Sequence, residues 1–243
     1  MFKPKRFDKI LKHQEFKLRG EFSVLCWNVA KLTQKSLYKE FIDKLIKEHD
    51  FDLLLFQEVK KNLSLEMELH DYSYILSPNI QTRKHIYGVL SAFRSSCHED
   101  ICLLSKKREL VYATHKVSLI THHILPDERQ LLVVNLHAVN FVHNKDFKYE
   151  LDYIFDTIQN HRGAMIVAGD FNTWNRQRVE YLSEFAKKLS LQMVTFDDES
   201  NIKKVFLNSI DYIFYRELNL TCSEVIDTKK ISDHNPIIAK FSL

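Results

Sequence analysis

Short stretches of this chain carry side chains that bind hard cations or move protons. They are Trp27-Asn28, Gln57-Glu58, His137 with Asn140, Gly169-Asp170-Phe171-Asn172, Asp211, and Ser232-Asp233-His234-Asn235-Pro236. Taken singly, each has a plain explanation. An Asn after a strand is a turn former, Asp-His in a loop makes an Asx-turn, and a Gly before Asp takes a positive φ. Taken together, they are groups able to bind a metal ion or a phosphate. A phosphate ester is anionic and repels hydroxide, so a site acting on one must supply positive charge and a positioned water. Glu58 offers a hard carboxylate oxygen suited to Mg2+, Mn2+ or Ca2+, with Asn28 as a neutral neighbour. A cation there polarises a phosphoryl oxygen and stabilises developing charge.

The elements around these stretches must bring them together. Residues 22–28 form a β-branched and aromatic run that predicts a strand ending at Asn28. Residues 52–56 are a continuous apolar run, the pattern of a strand buried on both faces, with Gln57-Glu58 at its end. Strands are also predicted at 72–76, 87–93, within 109–125, at 130–136 ending in His137, at 164–168 leading to Asp170, at 210–215 and at 236–241. Leu37, Phe41, Leu45 and Ile46 recur at helical spacing and predict an amphipathic helix over about 34–49. Further helices are predicted at 146–160, with Phe147, Leu151, Ile154, Phe155 and Ile158 on one face, and at 177–189. The reactive groups thus fall at strand ends, where loops on a rigid sheet build sites.

This ordered set resembles the endonuclease/exonuclease/phosphatase superfamily, the group that includes DNase I, from about residue 22 to the C-terminus. Asn-Leu-His-Ala-Val-Asn-Phe (135–141), Ala-Gly-Asp-Phe-Asn-Thr-Trp (168–174) and Asp-Tyr-Ile-Phe-Tyr-Arg (211–216) are most similar to its bacterial YafD-like branch. The resemblance implies an α/β fold: two packed mixed β-sheets, a sandwich, with helices on both outer faces. It implies Asp170 as the group that orients and deprotonates water, with Asn172 bonding the same water or the phosphate. His234 would donate to phosphate oxygens, held by Asp211, and His137 would protonate the leaving oxygen with Asn140 on phosphate. Metal would fall to Asn28, Glu58 and Asp233. In the abasic-site repair branch a Tyr usually stands at the place of His137, so the His points away from that branch. DNase I-like enzymes pair this histidine with an acid from the strand matching 87–93, and here that stretch, Tyr-Gly-Val-Leu-Ser-Ala-Phe, holds no carboxylate.

Beyond Gly-Asp-Phe-Asn, Trp174, Arg176 and Arg178 have two readings: contacts to phosphate or base, or a helix start capped by Asn175 with surface arginines. Arg at a helix N-terminus opposes the macrodipole, which favours a reason other than helix stability. His122 and His123 would point to opposite faces of a strand and make no metal pair.

The chain has 243 residues, 45% hydrophobic and 28% charged, with only 4 Gly and 4 Pro. No flexible linker divides it, which predicts one domain over 21–243 behind a basic arm, 1–20, expected to be solvated. The 4 cysteines form no CxxC pair, and Cys26 and Cys222 lie in apolar runs as small hydrophobes, which fits a reducing compartment. The N-terminus has no apolar signal-peptide core and no run of about 20 apolar residues occurs, so a cytoplasmic protein without a membrane span is expected. A net charge of +3 is too small to argue for nucleic acid by itself.

The expected activity is a Mg2+- or Mn2+-dependent phosphoesterase of nuclease type, with DNA or RNA as substrate. Rival readings are a phosphatase or phosphodiesterase for a lipid headgroup, nucleotide or other small phosphate, and a non-catalytic binding module on the same fold.

Overall fold

The computed structural model describes residues 4–12, 16–67, 69, 71–108 (106–108 as backbone alone), 115–205, 208–228 and 231–243. In chain order the elements are β1 (Phe7–Lys9), β2 (Glu21–Asn28), α1 (Ser36–His49), β3 (Leu53–Asn62), β4 (Ser73–Gln81), β5 (His85–Phe93), β6 (Glu99–Arg108), β7 (His115–Ile124), β8 (Gln130–His137), α2 (Asn144–Ile158), β9 (Met165–Asp170), α3 (Arg176–Lys188), β10 (Gln192–Met193), β11 (Lys204–Val205), β12 (Asn208–Ser209), β13 (Asp211–Arg216), β14 (Asn219–Val225) and β15 (Ile237–Ser242). One sheet runs β1-β4-β5-β3-β2-β15-β14 and the other β10-β13-β9-β8-β7-β6, with β11-β12 as a small hairpin. Both sheets are mixed: β2 pairs β3 and β8 pairs β9 in parallel, and the other pairs are antiparallel.

Strand alternation sorts the apolar runs into three layers. Val24, Cys26, Leu53 and Leu55 of the first sheet meet Val133, Ile166, Ala168 and Ile213 of the second in the central core. Leu25, Trp27, Leu54 and Phe56 face outward and are covered by Tyr38, Ile42 and Leu45 of α1. Leu132, Val134, Met165 and Val167 face outward on the other side and are covered by Phe147, Leu151, Ile154, Leu182 and Phe185 of α2 and α3. Because helices cover both outer faces, these strands are buried on both sides, which is why their sequences read as unbroken apolar runs. The sandwich with helices on both outer faces is as the resemblance implied.

Several sequence expectations are corrected. The buried face of α1 starts one residue later than its spacing implied: Leu37 is 59% exposed, while Tyr38 is buried and stacks on Trp27. The strand expected to stop at Phe56 runs on to Asn62 through a register shift between Phe56 and Val59. The edge strands β6 and β14 carry no strong apolar run, and Cys222 on β14 is exposed rather than buried. Residues 109–114, within a stretch expected to form strand, lie outside the described residues. The basic N-terminal stretch is not simply a solvated arm. Phe7–Lys9 pairs with β4 at the sheet edge, Leu18 is buried, and Arg19 is held by Asp50 and Asp52.

Candidate active site

The inner rows of both sheets end in polar residues at the same edge of the sandwich. Continuing the alternation, Val24 and Cys26 lead to Asn28, Leu53 and Leu55 to Gln57, Val133 and Asn135 to His137, and Ile166 and Ala168 to Asp170. Asp211 opens β13 opposite Asp170, His137 pairs with Asp170 in register, and Asn28 pairs with Gln57. Beneath them, Gln57 Nε2 donates to Asn135 Oδ1 at 2.8 Å, and Asn135 Nδ2 donates to Leu90 O at 2.8 Å. This amide pair bonds the two sheets across the core directly under the site.

Loops add the rest. Glu58 sits at the register shift of β3 with φ +53°, and Asn172 has φ +51°, both left-handed conformations unusual for residues other than glycine. Gly169 is required before Asp170: at φ +147° an added Cβ would lie 1.9 Å from Leu136 O. The Ser-Asp-His-Asn-Pro segment is pinned by Ser232 Oγ donating to Asn28 O at 3.0 Å and Trp27 Nε1 donating to His234 O at 2.9 Å.

The side chains converge on Asp170, which is buried. Its Oδ2 accepts from Asn28 Nδ2 and its Oδ1 from the Asn172 N–H, each at 3.0 Å. His234 Nδ1 lies 2.7 Å from Asp211 Oδ2, and His234 Nε2 lies 4.0 Å from Asp170 Oδ2. Burial and the nearby charge of Asp211 push the Asp170 carboxyl well above the usual carboxylate range. Burial alone would lower His234, but the charge and hydrogen bond of Asp211, with Asp170 beyond, overcome it and raise the ring to about 9. His137 is driven the other way, well below its ordinary value, by burial and then by the Lys116 ammonium, whose Nζ lies 2.8 Å from His137 Nε2. His137 Nε2 also lies 3.6 Å from Asp170 Oδ2 and 3.7 Å from Glu58 Oε1.

The donor set fits a divalent cation. One ligand atom from each of Asp170, Asp211 and His234 lies within 4.8 Å of the others. Asp211 Oδ1 is buried with no hydrogen-bond partner among the described residues. A buried carboxylate oxygen without a donor is costly unless a cation or water meets it. Glu58, on the more open side, pairs with Lys31 at 3.1 Å.

Of the residues singled out from sequence, the structure brings together Asn28, Glu58, His137, Asp170, Asn172, Asp211 and His234. Asn140 lies on the adjoining loop, its Oδ1 accepting from Trp174 Nε1 at 3.1 Å, so Trp174 is anchored there. Asp233 is not in the buried group: its side chain is 63% exposed and paired with Lys203. Arg176 is 93% exposed and paired with Glu180 along the helix surface. Arg178 corrects the substrate-contact reading, for it is fully buried and donates to backbone carbonyls. Asn175 caps α3 by accepting from Arg178 N. Sequence reasoning missed Lys116 and Lys31, ordinary lysines in ordinary polar contexts, and the Gln57–Asn135 bridge. The bridge was findable, since both residues continue inward-facing apolar rows where a polar residue needs a partner.

Acids, amides and histidines thus gather at one loop edge of a two-sheet sandwich. The chain belongs to the Endonuclease/Exonuclease/phosphatase family, whose sequence profile matches residues 25–234. Its fold is similar to that of an endonuclease/exonuclease/phosphatase family protein from Leptotrichia buccalis (TM-score 0.71, 18% identity, covering 91% of this chain and 100% of that one). It is also similar to the human Nocturnin catalytic domain with bound sulfate (TM-score 0.69, 18% identity, 93% and 96%). A third match is ANGEL2, a 2',3'-cyclic phosphatase (TM-score 0.67, 17% identity, 91% and 95%). Among the described residues, no helix is long and apolar enough to cross a membrane.

Proposed function

We propose that the chain is a Mg2+- or Mn2+-dependent phosphoesterase, of nuclease type, that breaks a phosphodiester bond with water activated at Asp170. The observation that carries the reading is the Asp211–His234 pair set 4.0 Å from Asp170, a charged donor facing a base across a gap. Asp170, held by Asn28 and by the Asn172 N–H, takes the proton of the attacking water. His234, kept protonated by Asp211, donates to the phosphate oxygens as charge develops. Lys116 sets its Nζ 2.8 Å from His137 Nε2, and burial with that neighbour holds the ring low, so this corner serves as an electrostatic clamp on the phosphate more readily than as a general acid. Glu58 with Asn28 would hold a cation, which supplies polarisation of the phosphoryl group when bound, and the Asp170–Asp211–His234 group is a second place that could take one.

Within the family, the motifs at 135–141, 168–174 and 211–216 support placement in the YafD-like branch. The unpaired cysteines support a reducing, cytoplasmic setting. Small phosphate esters are the alternative substrate, supported by a histidine at 137 and by the likeness to a cyclic phosphatase.

Nicking of supercoiled plasmid with Mg2+ or Mn2+ tests the reading, comparing wild type with Asp170→Asn, with EDTA and chromogenic mono- and diesters as side assays. Nicking by wild type alone is the expected result. Cleavage of the small esters alone removes the nuclease reading, and a wild type inert on all of them points to a binding module.

A further inference from the structure

Two buried charged side chains from the outer helices close on the loop that follows His137, and the chemistry above uses neither. Glu150 on α2 is 6% exposed, and its Oε2 accepts from Val139 N at 2.8 Å. Arg178, in the first turn of α3, donates through Nη1 to Val139 O at 2.9 Å and Asn172 O at 3.0 Å, and through Nη2 to Val142 O at 3.0 Å. Its guanidinium lies over the rings of Phe147 and Trp174, 4.6 Å and 4.8 Å from their centroids. Val139 is thus held at its N–H by a carboxylate that accepts and at its carbonyl by a guanidinium that donates. Beside it, Ala138 O accepts from Asn172 Nδ2 at 2.9 Å.

This arrangement is poorly explained by stability. Burying a guanidinium carries a large desolvation penalty, and an apolar side chain of similar volume is often as stable or more so. A cation in the first turn also opposes the helix dipole. What only arginine supplies is a planar fork of donors that reaches several carbonyls in fixed directions. Here the fork spans the loop after His137 and the left-handed Asn172 turn.

We propose that Arg178, seconded by Glu150, is a positioning residue that locks Asn172 and the Ala138–Asn140 strip in register with Asp170 and His137. The effect on rate rests on the phosphoesterase reading, whereas the locking does not. The test uses the full chain with Arg178→Ala, Arg178→Lys and Glu150→Gln, each checked for folded fraction. Hydrogen exchange of 138–144 and 172 is measured alongside kcat and KM for bis(4-nitrophenyl) phosphate. Both arginine variants should lose about tenfold or more in kcat with KM within about twofold, because small misplacements of catalytic groups are costly. Millimolar guanidinium should restore part of kcat to Arg178→Ala and none to Arg178→Lys. Exchange should rise at 138–144 and 172 and stay unchanged in β2 and β3. A folded Arg178→Ala with wild-type kcat, or exchange that rises uniformly through α2 and α3, overturns the proposal. If wild type cleaves nothing, the phosphoesterase reading fails, and the exchange pattern alone decides the positioning role.

Discussion

In the proposed reaction Asp170 is a base while buried beside another acid, and its neighbours decide whether it can act as one. Two N–H donors hold its oxygens, and His234 supplies the balancing charge. Replacing it with Asn keeps the shape and removes the base, so kcat should fall by roughly a thousandfold with the thermal midpoint nearly unchanged, as stopped-rate assays and calorimetry would show. Lys116→Met removes the cation beside His137 and should lower kcat by roughly a hundredfold, measured under saturating diester. A third residue acts on stability. His123 is buried against Phe93, and burial, above all, lowers its ring to about 3 from an ordinary 6.5. Between those values the unfolded chain holds a proton that the folded chain refuses. Stability should therefore be intact above about pH 6.5 and fall as pH drops toward 3, by up to about 1.4 kcal/mol per pH unit from this group. Urea unfolding at pH 6.5 and pH 4.5 should show a smaller difference in His123→Leu than in wild type.

The strands and turns set what the sequence could reveal. Buried strands announce themselves through unbroken apolar runs, so β2, β3, β8 and β9 were legible, and with them the polar residues at their ends. Edge strands β6 and β14 were not, because one face meets solvent and their composition is mixed. The face of α1 was misjudged because Leu37 is apolar yet exposed, and the choice was made by Tyr38 stacking on Trp27, a tertiary contact. That Asp211, Asp170 and His234 lie together was legible from motif and strand ends. Lys116 was not, since only the fold carries its ammonium to His137. The turn before Asp170 permits a sharp test. Gly169→Ala combines a left-handed φ with a Cβ 1.9 Å from Leu136 O. It should cost on the order of 3 kcal/mol, lowering the thermal midpoint by roughly 10 °C in scanning calorimetry.

At the scale of the molecule, two sheets bring one end of each inner row to a common edge, and the Gln57–Asn135 bridge fixes their spacing there. The basic segment before β2 is tied to this body by β1 and Arg19. If the substrate is a nucleic-acid strand, binding of DNA by the Asp170→Asn variant should weaken steeply as salt rises from 50 to 200 mM, whereas a small ester's KM should change little. Fluorescence anisotropy of a labelled oligonucleotide distinguishes the two. The central claim, water driven onto phosphorus at Asp170, is most directly tested by turnover in heavy-oxygen water with mass spectrometry of both products. The account predicts the heavy atom in the phosphate-bearing product and its absence from the alcohol. Label in the alcohol, or turnover that persists unchanged in Asp170→Asn, would contradict it.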